Sequence, residues 1–208
     1  FSEIGLYSGV AATDWSWSAL WMDFDNDGSK DLFVSNGIPR RLNDIDYINY
    51  VSNGEMQQKL QSESLDKKDI DALNKFPQIK IFNKFFRNEG NMQFQDIGNE
   101  IGNDQTTFSN GAIYADLDND GDLDIAVNNI DAPALIYENK TNDKKNPGKN
   151  KDFVEIKLHG SSKNINALGA KIVLYCNGGI RTYEKYPVRG FMSSMETPIH
   201  VGLDKTKI

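Results

Sequence analysis

The chain has almost no cysteine. Cys176 is the only one in 208 residues, which excludes an internal disulfide and a cysteine-based zinc site. Its setting, Ile172-Val173-Leu174-Tyr175-Cys176, predicts a buried strand residue rather than a nucleophile. Histidine is nearly as scarce: His159 and His200 stand in no Ser/His/Asp, Cys/His or zinc-ligand spacing, and His200 reads as a structural β residue. Nucleophile elbows, phosphate-binding loops and dinucleotide glycine patterns are all missing, so the expectation is a protein that is not an enzyme. There is no apolar run of about 18 residues, hence no helical membrane span and no visible signal peptide. Basic charge is in deficit, with 23 Lys and Arg against 30 Asp and Glu for a net charge of -7, and nucleic acid is not expected as a partner. The first residue is Phe1 rather than Met, and the reading is that further residues precede it.

What the chain does have is aspartate in a fixed pattern. Asp23-Phe24-Asp25-Asn26-Asp27-Gly28-Ser29-Lys30-Asp31 returns 93 residues later as Asp116-Leu117-Asp118-Asn119-Asp120-Gly121-Asp122-Leu123-Asp124. Carboxylates at positions one, three, five and nine of a short loop converge, and like charges at that range repel unless a cation lies between them. A donor set of oxygens alone, without His or thiolate, selects a hard cation; flexible loops supplying six or seven oxygens favour Ca2+ over octahedral Mg2+. Two calcium sites are therefore expected. The first would use Asp23, Asp25, Asp27 and Asp31 with the Ser29 carbonyl, the second Asp116, Asp118, Asp120 and Asp124 with the Asp122 carbonyl. Gly28 allows the sharp turn of the first.

An EF-hand opens the same way but needs a Glu at position twelve and helices on both sides. Here position twelve is Val34 or Val127, and the flanks Ala19 to Met22, Leu32 to Ser35, Ala112 to Ala115 and Leu123 to Val127 are short, apolar and bounded by turn residues. Each unit reads as strand, loop, strand.

The repeat extends beyond the loops. Residues 1–36 align without a gap on 94–129 with 15 identities. Subtracting the helical-looking insertion 38–80, 43 residues, from the 93-residue period leaves 50, the size of a propeller blade. Strands are expected around Leu20 to Asp23, Asp31 to Ser35, Lys84 to Arg87 and Met92 to Ile97, the last two joined by the Asn88-Glu89-Gly90-Asn91 turn. A propeller needs about four to eight blades to close, so remaining blades are expected N-terminal to Phe1. In the insertion, Asp44 caps a helix carrying Ile45, Ile48 and Val51, and a second helix carries Leu65, Ile70 and Leu73 and ends before Pro77. Trp15 and Trp21 match Phe108 and Tyr114 in the repeat and read as core, whereas Trp17 matches Asn110 and is the tryptophan to consider for ligand stacking. Residues 141–151 read as a linker, preceded by the glycosylation triplet Asn139-Lys140-Thr141. Alternation then returns in Phe153 to Leu158, Ala170 to Tyr175 and Ile180 to Tyr186, with an Asn177-Gly178-Gly179 turn, giving a small separate β domain over 152–208.

The two acidic loops, with Phe86-Arg87-Asn88-Glu89-Gly90-Asn91 and Phe94-Gln95-Asp96-Ile97 between them, resemble the FG-GAP/VCBS repeats of integrin-like β-propellers. Ala167-Leu168-Gly169-Ala170-Lys171-Ile172, Arg189-Gly190-Phe191-Met192-Ser193-Ser194 and His200-Val201-Gly202-Leu203 resemble the ASPIC/UnbV domain. That order is similar to cartilage-acidic-protein-like proteins and to large bacterial cell-surface members. The resemblance implies that the aspartates named above are calcium ligands, that the protein is extracellular or at the cell surface, and that bacterial relatives accompany outer-membrane nutrient uptake complexes. The expected fold is all-β: propeller blades over 1–140 with calcium loops and a short helical insertion, then the C-terminal β domain. The expected function is a surface module recognising a protein or glycan ligand; the competing readings are a polysaccharide-active propeller enzyme and an accessory subunit of an uptake complex.

Overall fold

Strand parity builds the first sheet. In β1 (Ser16–Met22) alternate residues Ser18, Leu20 and Met22 are buried, and β2 (Asp31–Asn36) is buried along its whole length, as suits a strand with neighbours on both sides. With β3 (Lys84–Asn88) and β4 (Phe94–Asp96) they form an antiparallel sheet in the order β1-β2-β3-β4. This computed structural model describes residues 1–40, 44–145, 150–176, 179–195 and 198–204.

The repeat reproduces the unit in three strands. β5 (Ser109–Ala115), β6 (Asp124–Asn129) and β7 (Leu135–Tyr137) lie in the order β5-β6-β7. Register repeats as well: Ala19 faces Val34 and Ala112 faces Val127, and β1 and β5 carry the same irregularity, before Ala19 and before Ala112. Strands, not helices, flank both acidic loops, and the EF-hand reading falls away. The chain is mostly strand with a few short helices, as the all-β expectation requires; among the described residues the two sheets do not close a ring.

One core joins the two sheets. Leu20, Met22, Phe33 and Phe85 of the first pack with Ala112, Leu123, Ile125 and Val127 of the second, and Met195 from the C-terminal region completes the cluster. Phe33, Phe85 and Tyr137 meet as a ring cluster with centroids 4.9 to 6.2 Å apart. Buried hydroxyls knit the seam: Ser18 Oγ accepts the N–H groups of Ala112 at 3.1 Å and Phe191 at 2.9 Å.

A short helix, α1 (Gly5–Ser8), precedes β1, and between β2 and β3 the insertion folds as three short helices rather than two: α2 (Ile45–Val51), α3 (Gly54–Gln61) and α4 (Lys67–Asn74). Asp44 caps α2 as its sequence predicts, Asn53 caps α3, and Asp66 with Asp69 forms a capping box on α4. Lys59 bridges α3 to Asp69 of α4 at 2.9 Å, and Phe76 packs edge-on against Tyr47. Leu65 lies before α4 rather than within it.

Two further expectations change. Trp15 and Trp21 are 36% and 45% exposed rather than core, because strand parity turns Trp21 to the face opposite Leu20 and Met22. Trp17, the stacking candidate, donates its indole N–H to the Gly37 carbonyl at 2.7 Å and packs on Phe191 with centroids 4.5 Å apart, which makes it a packing residue.

The C-terminal region consists of two antiparallel pairs, β8 (Asp152–Ile156) with β11 (Ile199–Asp204) and β9 (Lys171–Cys176) with β10 (Gly179–Glu184). Cys176 lies in a strand, as its surroundings predict, but is half-buried rather than buried. The Asn177-Gly178 part of the expected turn and residues 146–149 of the expected linker lie outside the described residues. The rest of that linker is tied down, since Asn142 is 2% exposed and exchanges hydrogen bonds with Lys151 across the segment.

Candidate metal centre

Each acidic loop is shaped by its own aspartates accepting backbone N–H groups. In the first, Asp23 Oδ1 and Asp25 Oδ1 both accept from Asp27 N at 3.1 Å, Asp23 Oδ2 accepts from Gly28 N at 2.8 Å, and Asp27 Oδ1 accepts from Ser29 N at 2.6 Å. The second repeats this bond for bond: Asp116 Oδ1 and Asp118 Oδ1 accept from Asp120 N at 3.1 Å, Asp116 Oδ2 from Gly121 N at 3.0 Å, and Asp120 Oδ1 from Asp122 N at 3.1 Å. Asn26 and Asn119, at position four, adopt left-handed φ of 56° and 59°, and Gly28 and Gly121, at position six, adopt 89° and 90°. Asn is the side-chain-bearing residue most tolerant of that region, and Gly pays no steric penalty there.

Position nine closes the loop. Asp31 accepts from Phe24 N at 3.0 Å and Asn88 N at 2.8 Å, and Asp124 accepts from Leu117 N at 2.9 Å and Asn139 N at 2.8 Å. Asn88 and Asn139 are partners of the loops that the sequence reading missed. Each also donates its side-chain amide to the carbonyl at position eight, Lys30 at 2.9 Å and Leu123 at 3.2 Å. The signal was present as an aromatic-x-Asn triplet, Phe86-Arg87-Asn88 and Tyr137-Glu138-Asn139, at the end of the third strand of each unit. Because Asn139 Nδ2 also reaches the Phe24 carbonyl at 2.6 Å, the amide of the glycosylation triplet is engaged in structure.

The carboxylates converge in two groups. Asp23, Asp25 and Asp27 offer one oxygen each within 4.8 Å of one another, and so do Asp116, Asp118 and Asp124. The side chains of Asp31 and Asp120 fall outside these triplets. Asp122 differs most from expectation: its side chain is 1% exposed, Oδ2 accepts the N–H of Asn142 at 2.8 Å, and Oδ1 has no hydrogen-bond partner among the described residues.

The charge held in these loops is poorly solvated. Burial, then the neighbouring Asp27 charge, pushes Asp23 up to about 7, and burial pushes Asp31 to about 7 in spite of its two backbone donors. Burial and Asp27 raise Asp25 as well. In the second loop burial raises Asp120 and takes Asp122 to about 7. The only cation within ion-pair reach of the first triplet among the described residues is Lys151, whose Nζ is 3.7 Å from Asp25 Oδ2. A donor set made of oxygens, clustered and reluctant to ionise without compensation, fits a hard divalent cation.

The two loops and the C-terminal region meet at Asn26, which is fully buried. Its Nδ2 donates to the Gly121 carbonyl of the other loop at 2.9 Å, and its Oδ1 lies 2.6 Å from His200 Nε2 on β11. Burial drops the His200 pKa to about 4, so the ring is neutral and its Nε2–H donates to Asn26. Gly202 N donates to Asp23 Oδ2 at 3.2 Å, and a Cβ there would stand 2.3 Å from that oxygen. Phe153 covers Gly121 as Arg181 covers Gly28, and Arg181 Nη1 donates to the Gly202 carbonyl at 2.8 Å. The C-terminal region therefore packs on the acidic loops.

Paired strand-loop-strand units with nested acidic loops define a class of repeat protein, and the family comparisons name it. Residues 79–127 match the model for the FG-GAP-like repeat, a span running from β3 through the second acidic loop into β6, and residues 160–208 match the model for ASPIC and UnbV. The chain thus carries an FG-GAP-like repeat followed by an ASPIC/UnbV region. No curated protein matches it. The first acidic loop lies N-terminal to the matched spans and is tied to the family by the internal repeat and its identical hydrogen bonds.

Proposed function

We propose that the chain is a calcium-stabilised pair of β-propeller blades with a C-terminal cap, acting as a binding module outside the cell or at its surface. The observation that carries this reading is the bond-for-bond identity of the two acidic loops, each gathering three carboxylates within 4.8 Å. Asp23, Asp25 and Asp27 would hold one ion and Asp116, Asp118 and Asp124 the other, completed by main-chain carbonyls of Ser29 and Asp122. Calcium supplies positive charge there and no redox or nucleophilic chemistry. The residues themselves do structural work: Gly28 and Gly121 turn the chain, Asp31 and Asp124 tie it to Asn88 at the end of β3 and to Asn139 just past β7, and Asn26 links the first loop to β11.

A metal bound to the native state alone stabilises it by mass action, about 2.7 kcal/mol at a hundredfold excess over Kd. The module reading is further supported by the family matches, since FG-GAP repeats are typical of extracellular and surface proteins. No helix among the described residues is long and apolar enough to cross a membrane. The ligand class that fits is a protein or glycan. Differential scanning calorimetry in millimolar calcium and then in excess chelator tests the metal: the melting temperature falls on chelation and is restored by calcium. Identical melting in both conditions overturns the reading.

A further inference from the structure

A cavity of about 60 Å3 lies between the first acidic loop and the C-terminal region; Asp23 is its one lining residue from the carboxylate triplets. Trp21 of β1, Tyr114 of β5 and Tyr183 and Tyr186 from the end of β10 supply aromatic wall, and Lys30 and Arg189 supply positive charge. Lys30 Nζ stands 5.3 Å above the Tyr183 ring, and Arg189 is fixed by donating Nη2 to the Glu184 carbonyl at 3.0 Å. Lys185 also lines the cavity, so three cations face Glu184 and an Asp23 already occupied by the N–H groups of Asp27, Gly28 and Gly202. In a chain of net charge -7 this is a local reversal of sign.

The lysine is not there for the loop. Its counterpart at position eight of the second loop is Leu123, a 6% exposed core residue, and that loop closes with the same hydrogen bonds. At the rim, Trp21 and Tyr186 are 45% and 60% exposed, which leaves two large rings open to solvent beside a charged recess.

Resting on the reading of the chain as a surface binding module, we propose that this cavity recognises the carboxylate of an acidic saccharide, a uronate-containing chain. The Arg189 guanidinium matches a carboxylate in shape and the Lys30 ammonium adds a point charge. The faces of Trp21 and Tyr186 pack against the C–H face of the sugar ring, as amphipathic aromatics do at wet interfaces. An acidic peptide offers the carboxylate but no pyranose ring for the two exposed aromatics.

Calorimetric titration of the calcium-loaded full chain with a hyaluronan hexasaccharide, a neutral glucose hexasaccharide and a polyglutamate peptide tests the site. Saturable binding is expected for hyaluronan alone, about tenfold weaker in Lys30→Leu and in Arg189→Gln and weakened by salt. Lys30→Leu copies the residue of the second loop, and Arg189→Lys keeps charge while removing the planar fork should Arg189→Gln melt early. Absence of hyaluronan binding, unchanged affinity in both variants, or equal binding of polyglutamate would each overturn the proposal. Calcium titration of the same samples separates the two readings: intact calcium binding without hyaluronan binding sinks this site alone, whereas loss of calcium binding removes the module reading beneath it.

Discussion

Asp23 and Asp31 resist ionisation in the metal-free loop, and that resistance sets a pH dependence with a definite sign. Their folded pKa values are about 7 against an ordinary 3.8, so the metal-free fold holds more protons than the unfolded chain between those values. Its stability is therefore highest at the acid end and falls as pH rises from about 4 through about 7. Bound calcium takes the place of those protons. The gap in melting temperature between calcium and chelator should widen from pH 5 to pH 8; an equal gap at every pH would contradict the assignment. Asp122 tests the same physics without entering the carboxylate triplet. Asp122→Asn keeps an oxygen for the Asn142 N–H and removes a charge that burial disfavours. In chelator it should raise the melting temperature at pH 8 by about 2–4 °C, the shift expected from roughly 1 kcal/mol in a chain of this length, and by less at pH 5. Asn139→Ala works in the other direction, since the main-chain carbonyls of Phe24 and Leu123 lose a donor, a loss of about 1–3 kcal/mol for partly buried acceptors. Denaturant unfolding of that variant gives the number.

At the level of the element, β11 is the piece that connects the blades to the cap. Gly202 has no room for a methyl group between Asp23 and the Asn26 backbone, where a Cβ would lie 2.3 and 2.5 Å from its nearest neighbours. Gly202→Ala should cost about 1–3 kcal/mol in equilibrium unfolding, the usual price of overpacking, and weaken calcium binding to the first loop while sparing the second. Unaltered calcium affinity at both loops would show that β11 merely rests on them. Sequence made the loops legible because their ligands are local: nine consecutive residues carry the spacing of the carboxylates. It made Asn88 and Asn139 hard to see because strand pairing, not spacing, brings them to position nine, from 57 residues away in one unit and 15 in the other. Parity explains the misplaced tryptophan, since Trp21 alternates with Leu20 and Met22 and only one of those faces meets the second sheet. The helix α3 was missed because Gly54 follows Asn53, a pair that reads as a turn until the Asn side chain is found capping Glu55 N at 2.9 Å.

For the whole molecule, the arrangement is a chain of dependencies that begins at two acidic loops. The loops fix the turns between β1 and β2 and between β5 and β6, those turns carry Asn26 and Gly121, and the C-terminal pairs seat on that junction. The insertion of α2, α3 and α4 leaves this chain of contacts untouched, being held by its own caps and by the Lys59–Asp69 pair. How the C-terminal region sits on the loops is something sequence does not carry: both glycines at position six, Gly28 and Gly121, are covered by side chains more than thirty residues away, Arg181 and Phe153. The measurement that bears most directly on this account is the stoichiometry of calcium binding by isothermal titration, with Asp27→Ala and Asp118→Ala, one member of each carboxylate triplet, alongside the parent chain. The account predicts two saturable sites in the parent, one in each variant, and none in the double variant. No saturable binding at millimolar calcium, or an unchanged stoichiometry in both variants, would contradict it.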